Sequence, residues 1–127
     1  MRFDAVTLFP EMFGGVLQAS ILKRAADKQL ASYHLHQLRD YTQDRHRKVD
    51  DTPFGGGPGM VLMAQPVVDA VAAIEALDAA PAMRVLLCPQ GQRLTQGVVR
   101  ELSAAPRLVL IAGHYEGYDE RIPRILT

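Results

Sequence analysis

Arg84-Val85-Leu86-Leu87-Cys88-Pro89-Gln90-Gly91 and Leu108-Val109-Leu110-Ile111-Ala112-Gly113-His114-Tyr115-Glu116-Gly117 are the stretches that decide the fold. Each is a short apolar run that stops abruptly in a glycine-bearing turn. Runs this short and this continuous predict strands whose two faces are both covered by helices. Between them Thr95 is a suitable N-cap, because its hydroxyl can accept from a free first-turn amide, and Val98, Val99 and Leu102 follow at helical spacing. Strand–helix–strand with buried strands is the unit of a parallel sheet.

Upstream, the same alternation recurs. Residues 3–9 predict a strand that Pro10 ends, and Pro10-Glu11 suits the first turn of a helix. Leu17, Ile21 and Ala25 recur at intervals of four as one apolar stripe, with Gly14 and Gly15 weakening the start of that helix. Residues 33–38 predict a second strand. Pro66 opens a further helix with Val67, Val71 and Ile74 on one face, closed by Ala79, Ala80 and Pro81. The expected fold is therefore α/β, a mostly parallel sheet with flanking helices in one domain. Ile122, Pro123 and Ile125 begin something new, so that the stop at Thr127 reads as an interruption.

Composition excludes several classes. The chain has 127 residues, 14 basic and 14 acidic side chains, 48% apolar residues and 22% charged ones. Those values describe a globular domain and exclude disordered, collagenous and coiled-coil chains. Zero formal charge argues against a polycation that grips nucleic acid over its whole surface, while leaving room for a local basic site. One cysteine, Cys88, permits no internal disulfide, which fits a reducing, cytoplasmic setting. No apolar run reaches the roughly 18–20 residues of a membrane span, and Asp4, Pro10 and Glu11 break up any signal-peptide core.

The chemistry concentrates in three places. The turns 89–91 and 113–117 leave the carboxyl ends of two buried strands, where open α/β sheets bind ligands. Glycine there lets backbone amides approach an adenine edge or a ribose, and Glu116 offers a carboxylate to an amine, a hydroxyl or a metal; the plainer reading is that Gly91 and Gly113 only turn the chain. Residues 39–59 are polar and glycine-rich, longer than the about 12–15 residues at which loops become functional or disordered. Within them Arg45, His46, Arg47 and Lys48 form a basic knot, either a solvated face or a phosphate contact. Gly55-Gly56-Gly57-Pro58-Gly59 is neither a P-loop nor a dinucleotide fingerprint, and its ordering entropy calls for a partner. His34 and His36 lack metal-ligand spacing and read as ordinary strand residues, and Cys88 reads as a small buried residue without a base.

Together these residues resemble the bacterial tRNA (guanine-N1)-methyltransferase family, TrmD. The resemblance rests on Leu8-Phe9-Pro10-Glu11-Met12-Phe13, Asp44-Arg45-His46-Arg47 with Asp50-Asp51, Gly55-Gly56-Gly57-Pro58-Gly59-Met60, Pro89-Gln90-Gly91, and Gly113 with Tyr115-Glu116-Gly117 and Asp119-Glu120-Arg121. It spans the chain in family order. It implies a SPOUT fold with a deep trefoil knot, an exception to the rule against knots. It further implies methyl transfer from S-adenosylmethionine to N1 of the guanine 3′ of the anticodon, a homodimer with shared sites, and assistance from magnesium. By the resemblance, Leu87, Cys88, Pro89, Gln90 and Gly91 form one wall of the cofactor pocket and Gly113, Tyr115, Glu116 and Gly117 another. Arg45, His46, Asp50, Gly55, Gly56, Gly57 and Gly59 face the substrate. Cys88 stands where serine is frequent and His114 where arginine is frequent.

Family members run on well beyond Thr127. The expectation is an N-terminal part of the cofactor-binding domain, with the knot incomplete, the C-terminal tRNA-binding domain absent, and the catalytic base beyond Thr127. N1 must lose its proton before it attacks the methyl group, so a chain without that base is expected to be inactive. Two other readings remain open at this stage: a non-catalytic RNA- or nucleotide-binding α/β module, and a dimerisation fragment without ligand.

Overall fold

A computed structural model describes residues 1–126. Four strands, β1 (Arg2–Thr7), β2 (Ser32–Gln37), β5 (Ala82–Leu87) and β6 (Arg107–Ala112), form one sheet in the order β2-β1-β6-β5. Every neighbouring pair in it is parallel. Two further strands, β3 (Asp50–Asp51) and β4 (Val61–Leu62), form a small antiparallel hairpin. The helices are α1 (Gly14–Leu17), α2 (Ser20–Asp27), α3 (Ala64–Glu75), α4 (Gln96–Ser103) and α5 (Arg121–Leu126).

Alternation along the central strands sorts their side chains to two faces. Val6, Val109 and Ile111 join Val67, Val71 and Ile74 of α3 and Ile122 and Leu126 of α5 in one buried cluster. The opposite face carries Phe3, Ala5 and Leu110 beside Phe13, Leu17 and Leu22. Tyr33 fastens that second layer by donating to the Leu22 carbonyl at 3.0 Å.

Three expectations need correction. Residues 10–25 do not make one continuous helix. A 3₁₀ turn (Pro10–Met12) precedes α1, and the chain turns between α1 and α2, whose first residue, Ser20, has φ 52°. Ile21 consequently faces solvent, 74% exposed. Second, β6 is buried at four of its six residues, but β5 is the sheet's edge and leaves Met83 and Leu87 exposed. An apolar run alone does not distinguish the two, because an edge strand awaiting cover looks like a covered one. Third, residues 39–59 are not a structureless connection. They contain the end of a 3₁₀ turn (Leu38–Tyr41) and the strand β3, and Val49 is fully buried.

The end of the sheet away from the turns is closed by an ionic network. Asp4 and Arg107 are both 0% exposed, and Arg107 Nε donates to Asp4 Oδ2 at 2.9 Å. Arg2 and His36 also bond to the Asp4 carboxylate. Arg107 meanwhile donates to the carbonyls of Ile74 and Glu75 at the end of α3 and of Asp78 in the turn beyond it. His36 thus has an acidic partner that strand spacing did not indicate.

Candidate functional site

The register pairs Leu87 with Ala112, so β5 and β6 end side by side and their turns leave the sheet together. The first turn is tight: the Gly91 amide donates to the Cys88 carbonyl at 3.2 Å. In the second, Tyr115 takes the left-handed conformation, φ 63°, which a bulky residue keeps only where its surroundings hold it. Arg39 is part of that hold, donating to the Tyr115 hydroxyl at 3.3 Å.

Beyond Tyr115 the chain runs against the glycine hairpin as an added strand. The Glu116 amide donates to the Met60 carbonyl at 3.0 Å, the Leu62 amide to Gly117 at 2.9 Å, and the Asp119 amide to Leu62 at 2.9 Å. Gly59, at φ +81°, lies directly beneath Glu116, and a Cβ at that position would overlap the Glu116 side chain. Glycine is required there twice, for conformation and for space. Gly55, Gly56 and Gly57 also have positive φ and form the exposed hairpin tip.

These contacts enclose a cleft of about 260 Å³ between the two turns, with Cys88, Pro89, Gln90, Glu116, Gly117 and Tyr118 on its walls. Two residues in it carry information absent from the motifs. Tyr118 sends its hydroxyl to the Leu87 and Ile111 carbonyls at 3.0 and 3.1 Å. Its burial pushes the phenol up to about 12, so it stays a protonated donor. Leu86 lines the cleft where Leu87 was expected; Leu87 itself is half exposed.

The basic segment stands beside this rim, ordered by its own contacts. Asp44 accepts from the amides of His46 and Lys48 at 2.8 and 3.0 Å, and these hold its carboxyl below the usual range. Thr42 donates to the Lys48 carbonyl at 2.7 Å, Arg47 pairs with Asp40, and Arg39 donates to the Arg47 carbonyl at 3.1 Å. Arg39 therefore links the segment to Tyr115. Arg45 and His46 are exposed on this segment and are not among the cleft walls, whereas Asp50 lies at the base of the hairpin.

Thus the structure sets Cys88, Pro89, Gln90, Glu116 and Gly117 of the two turns around one cleft and joins Gly59 to them, while Leu87, Gly91 and Tyr115 are not among its walls and Gly113 lines a neighbouring hollow. It sets Gly55, Gly56 and Gly57 at the tip and Arg45 and His46 outside the cleft. A larger hollow, about 670 Å³, lies over the ends of β1 and β6, but its side chains are apolar apart from Thr7 and His114. The convergent polar groups are in the smaller cleft, which makes it the candidate site. Among the described residues no group of three or more His, Cys, Asp or Glu side chains is placed to hold a metal ion.

Known proteins fit this geometry. A crystal structure of the tRNA (m1G37) methyltransferase from Aquifex aeolicus superimposes with a TM-score of 0.89 at 34% identity, over 99% of this chain and 56% of that one. The tRNA (guanine-N(1)-)-methyltransferase of Chloroflexus aurantiacus is 54% identical over 126 residues, 99% of this chain and 50% of the relative. That of Halalkalibacterium halodurans is 49% identical over 127 residues, 100% of this chain and 52% of the relative. The chain spans about half the length of the curated relatives it matches. The family model for tRNA (guanine-1)-methyltransferase TrmD matches residues 1–126, and the chain belongs to that family.

Proposed function

We propose that this chain supplies the methyl-donor cleft and part of the RNA-facing surface of a tRNA methyltransferase. The reaction is transfer of a methyl group from S-adenosylmethionine to N1 of the guanine 3′ of the anticodon. The observation that carries the reading is the join between the two turns and the glycine hairpin, made at Glu116 over Gly59. It sets a nucleoside-sized cleft against the edge of the glycine hairpin, as a reaction between two nucleosides requires.

S-adenosylmethionine supplies an electrophilic methyl on a sulfonium. The residues of 88–91 and 113–117 present backbone amides and carbonyls, suited to an adenine edge and ribose hydroxyls. Polar backbone contacts of this kind also explain why cysteine is acceptable at position 88. Glu116 places a carboxylate at the junction, where it can orient the guanine or the sulfonium. Arg45, His46 and Asp50, with the hairpin tip Gly55 to Gly57, form the substrate-facing rim, and the exposed cations meet phosphates. The proton on N1 needs a base, and no residue among those described is assigned to it.

The full enzyme is proposed to act as a homodimer on tRNA in the cytoplasm. The lone Cys88 accords with a reducing compartment, and no helix among the described residues is long and apolar enough to cross a membrane. The chain as a whole is read as the N-terminal part of the SPOUT cofactor-binding domain.

Calorimetric titration with S-adenosylmethionine, followed by transfer of a labelled methyl group to tRNA by the full-length protein, tests the reading. Binding of the donor and label at N1 of that guanine are expected. Retention of RNA with no affinity for the donor would instead identify a binding module.

A further inference from the structure

The two turns of the cleft diverge from parallel strands, and parallel strands stop bonding to each other where they end. The carbonyls of Leu87 and Ile111 therefore need another donor. Both lie within hydrogen-bond distance of one atom, the Tyr118 hydroxyl, at 3.0 and 3.1 Å, and share its single proton. The same oxygen lies against Gly113. One phenol thus touches the last residue of β5, the penultimate residue of β6 and the first residue of the second turn.

Space confirms the fit. A Cβ on Gly113 would overlap the Tyr118 ring and hydroxyl, so Gly113 lacks a side chain because the phenol occupies its place. The Tyr118 backbone is itself anchored: Leu62 bridges to it in parallel, and the amides on either side of that bridge are paired with the hairpin. The ring is reached from a fixed strand and ends in the gap between the two turns.

We propose that Tyr118 is a positioning residue that fixes the separation of the two turns and so preorganises the cleft for the methyl donor. It acts through the backbone of residues 87–91 and 111–113 rather than by touching the reacting atoms. The inference rests on the reading of this cleft as the S-adenosylmethionine site. Its hydroxyl, not its ring, is the operative part, and burial keeps that hydroxyl protonated over the working range of pH.

The test is Tyr118→Phe in the full-length protein. Loss of one hydroxyl that serves several backbone groups is expected to weaken S-adenosylmethionine binding about tenfold by calorimetry, with KM for the donor rising and kcat at saturating donor within about twofold. Affinity for tRNA stays unchanged, which a general loss of stability would not leave so. Amide exchange gives an independent readout: Gly113 and Gly91 exchange about tenfold faster in the variant, while Val109 and Leu110 do not. Unchanged donor affinity, or equal losses for donor and tRNA, would overturn the proposal. If the wild type binds no donor, the cofactor reading fails, and exchange alone decides whether Tyr118 sets the turns: faster Gly113 and Gly91 exchange supports it, unchanged exchange refutes it. If Tyr118→Phe does not fold, Gly113→Ala pushes the ring away with the hydroxyl intact. Faster exchange at Gly91, on the other turn, then supports the proposal and unchanged exchange refutes it.

Discussion

Asp4 shows how one side chain can decide the stability of the frame. Burial alone would raise its carboxyl, but hydrogen bonds from Arg2, His36 and Arg107 outweigh that and hold it at about 2. The folded value lies below the unfolded one of about 3.9, so the contribution is present above about pH 4 and is lost as pH falls toward 2. It amounts to about 2 kcal/mol. Urea unfolding at a series of pH values should show stability dropping across that window. Asp4→Asn should cost about 3–5 kcal/mol at neutral pH, because it leaves Arg107 charged and uncompensated in the interior, and should flatten the acid dependence. A variant of native stability would mean that Arg107 is satisfied by the α3 carbonyls alone.

At the scale of elements, the glycine hairpin and α4 make contrasting demands. Gly59→Ala forces a side chain into a left-handed position against Glu116. It should destabilise by about 1–3 kcal/mol and impair donor and RNA binding together, read by thermal unfolding and calorimetry. Gly57→Ala, at φ +115° but with nothing nearby, should carry only the backbone strain and spare the donor. Helix α4 begins at Thr95, whose hydroxyl accepts from the Val98 amide at 3.3 Å. Thr95→Ala should cost about 1 kcal/mol without touching either ligand, a difference visible in a melting curve. That cap was legible in the sequence, as were the four long strands, because both depend on near neighbours. The hairpin was not: β3 and β4 have two residues each, and Met60 and Leu62 on the β4 side are braced by the 116–119 segment more than fifty residues away. Tyr118 escaped for the same reason. Nothing local distinguishes a tyrosine that reaches strand-end carbonyls seven and thirty-one positions earlier from one that faces solvent. The glycine turns were read as possible ligand contacts, yet Gly59 and Gly113 owe their identity at least as much to Glu116 and Tyr118.

Over these 127 residues charge sums to zero, so any hold they have on RNA has to come from where the cations stand. The exposed basic residues of the 45–48 segment differ in their freedom. Arg47 is paired with Asp40, while Arg45 and Lys48 project from backbone fixed by Asp44 and Thr42. A phosphate-contacting side chain releases counterions when it binds, and its removal lowers the slope of log affinity against log salt by about 0.7–0.9. Arg45→Ala and Lys48→Ala should each lower the slope for tRNA by about that amount while leaving S-adenosylmethionine affinity intact. Arg47→Ala should act differently: it frees Asp40 and loosens the segment that Arg39 ties to Tyr115, so it should also disturb the donor turn. Filter-binding measurements from low to moderate salt separate the cases. Equal slopes for wild type and the Arg45 and Lys48 variants would identify the segment as a solvated face and move the RNA contact elsewhere on the rim.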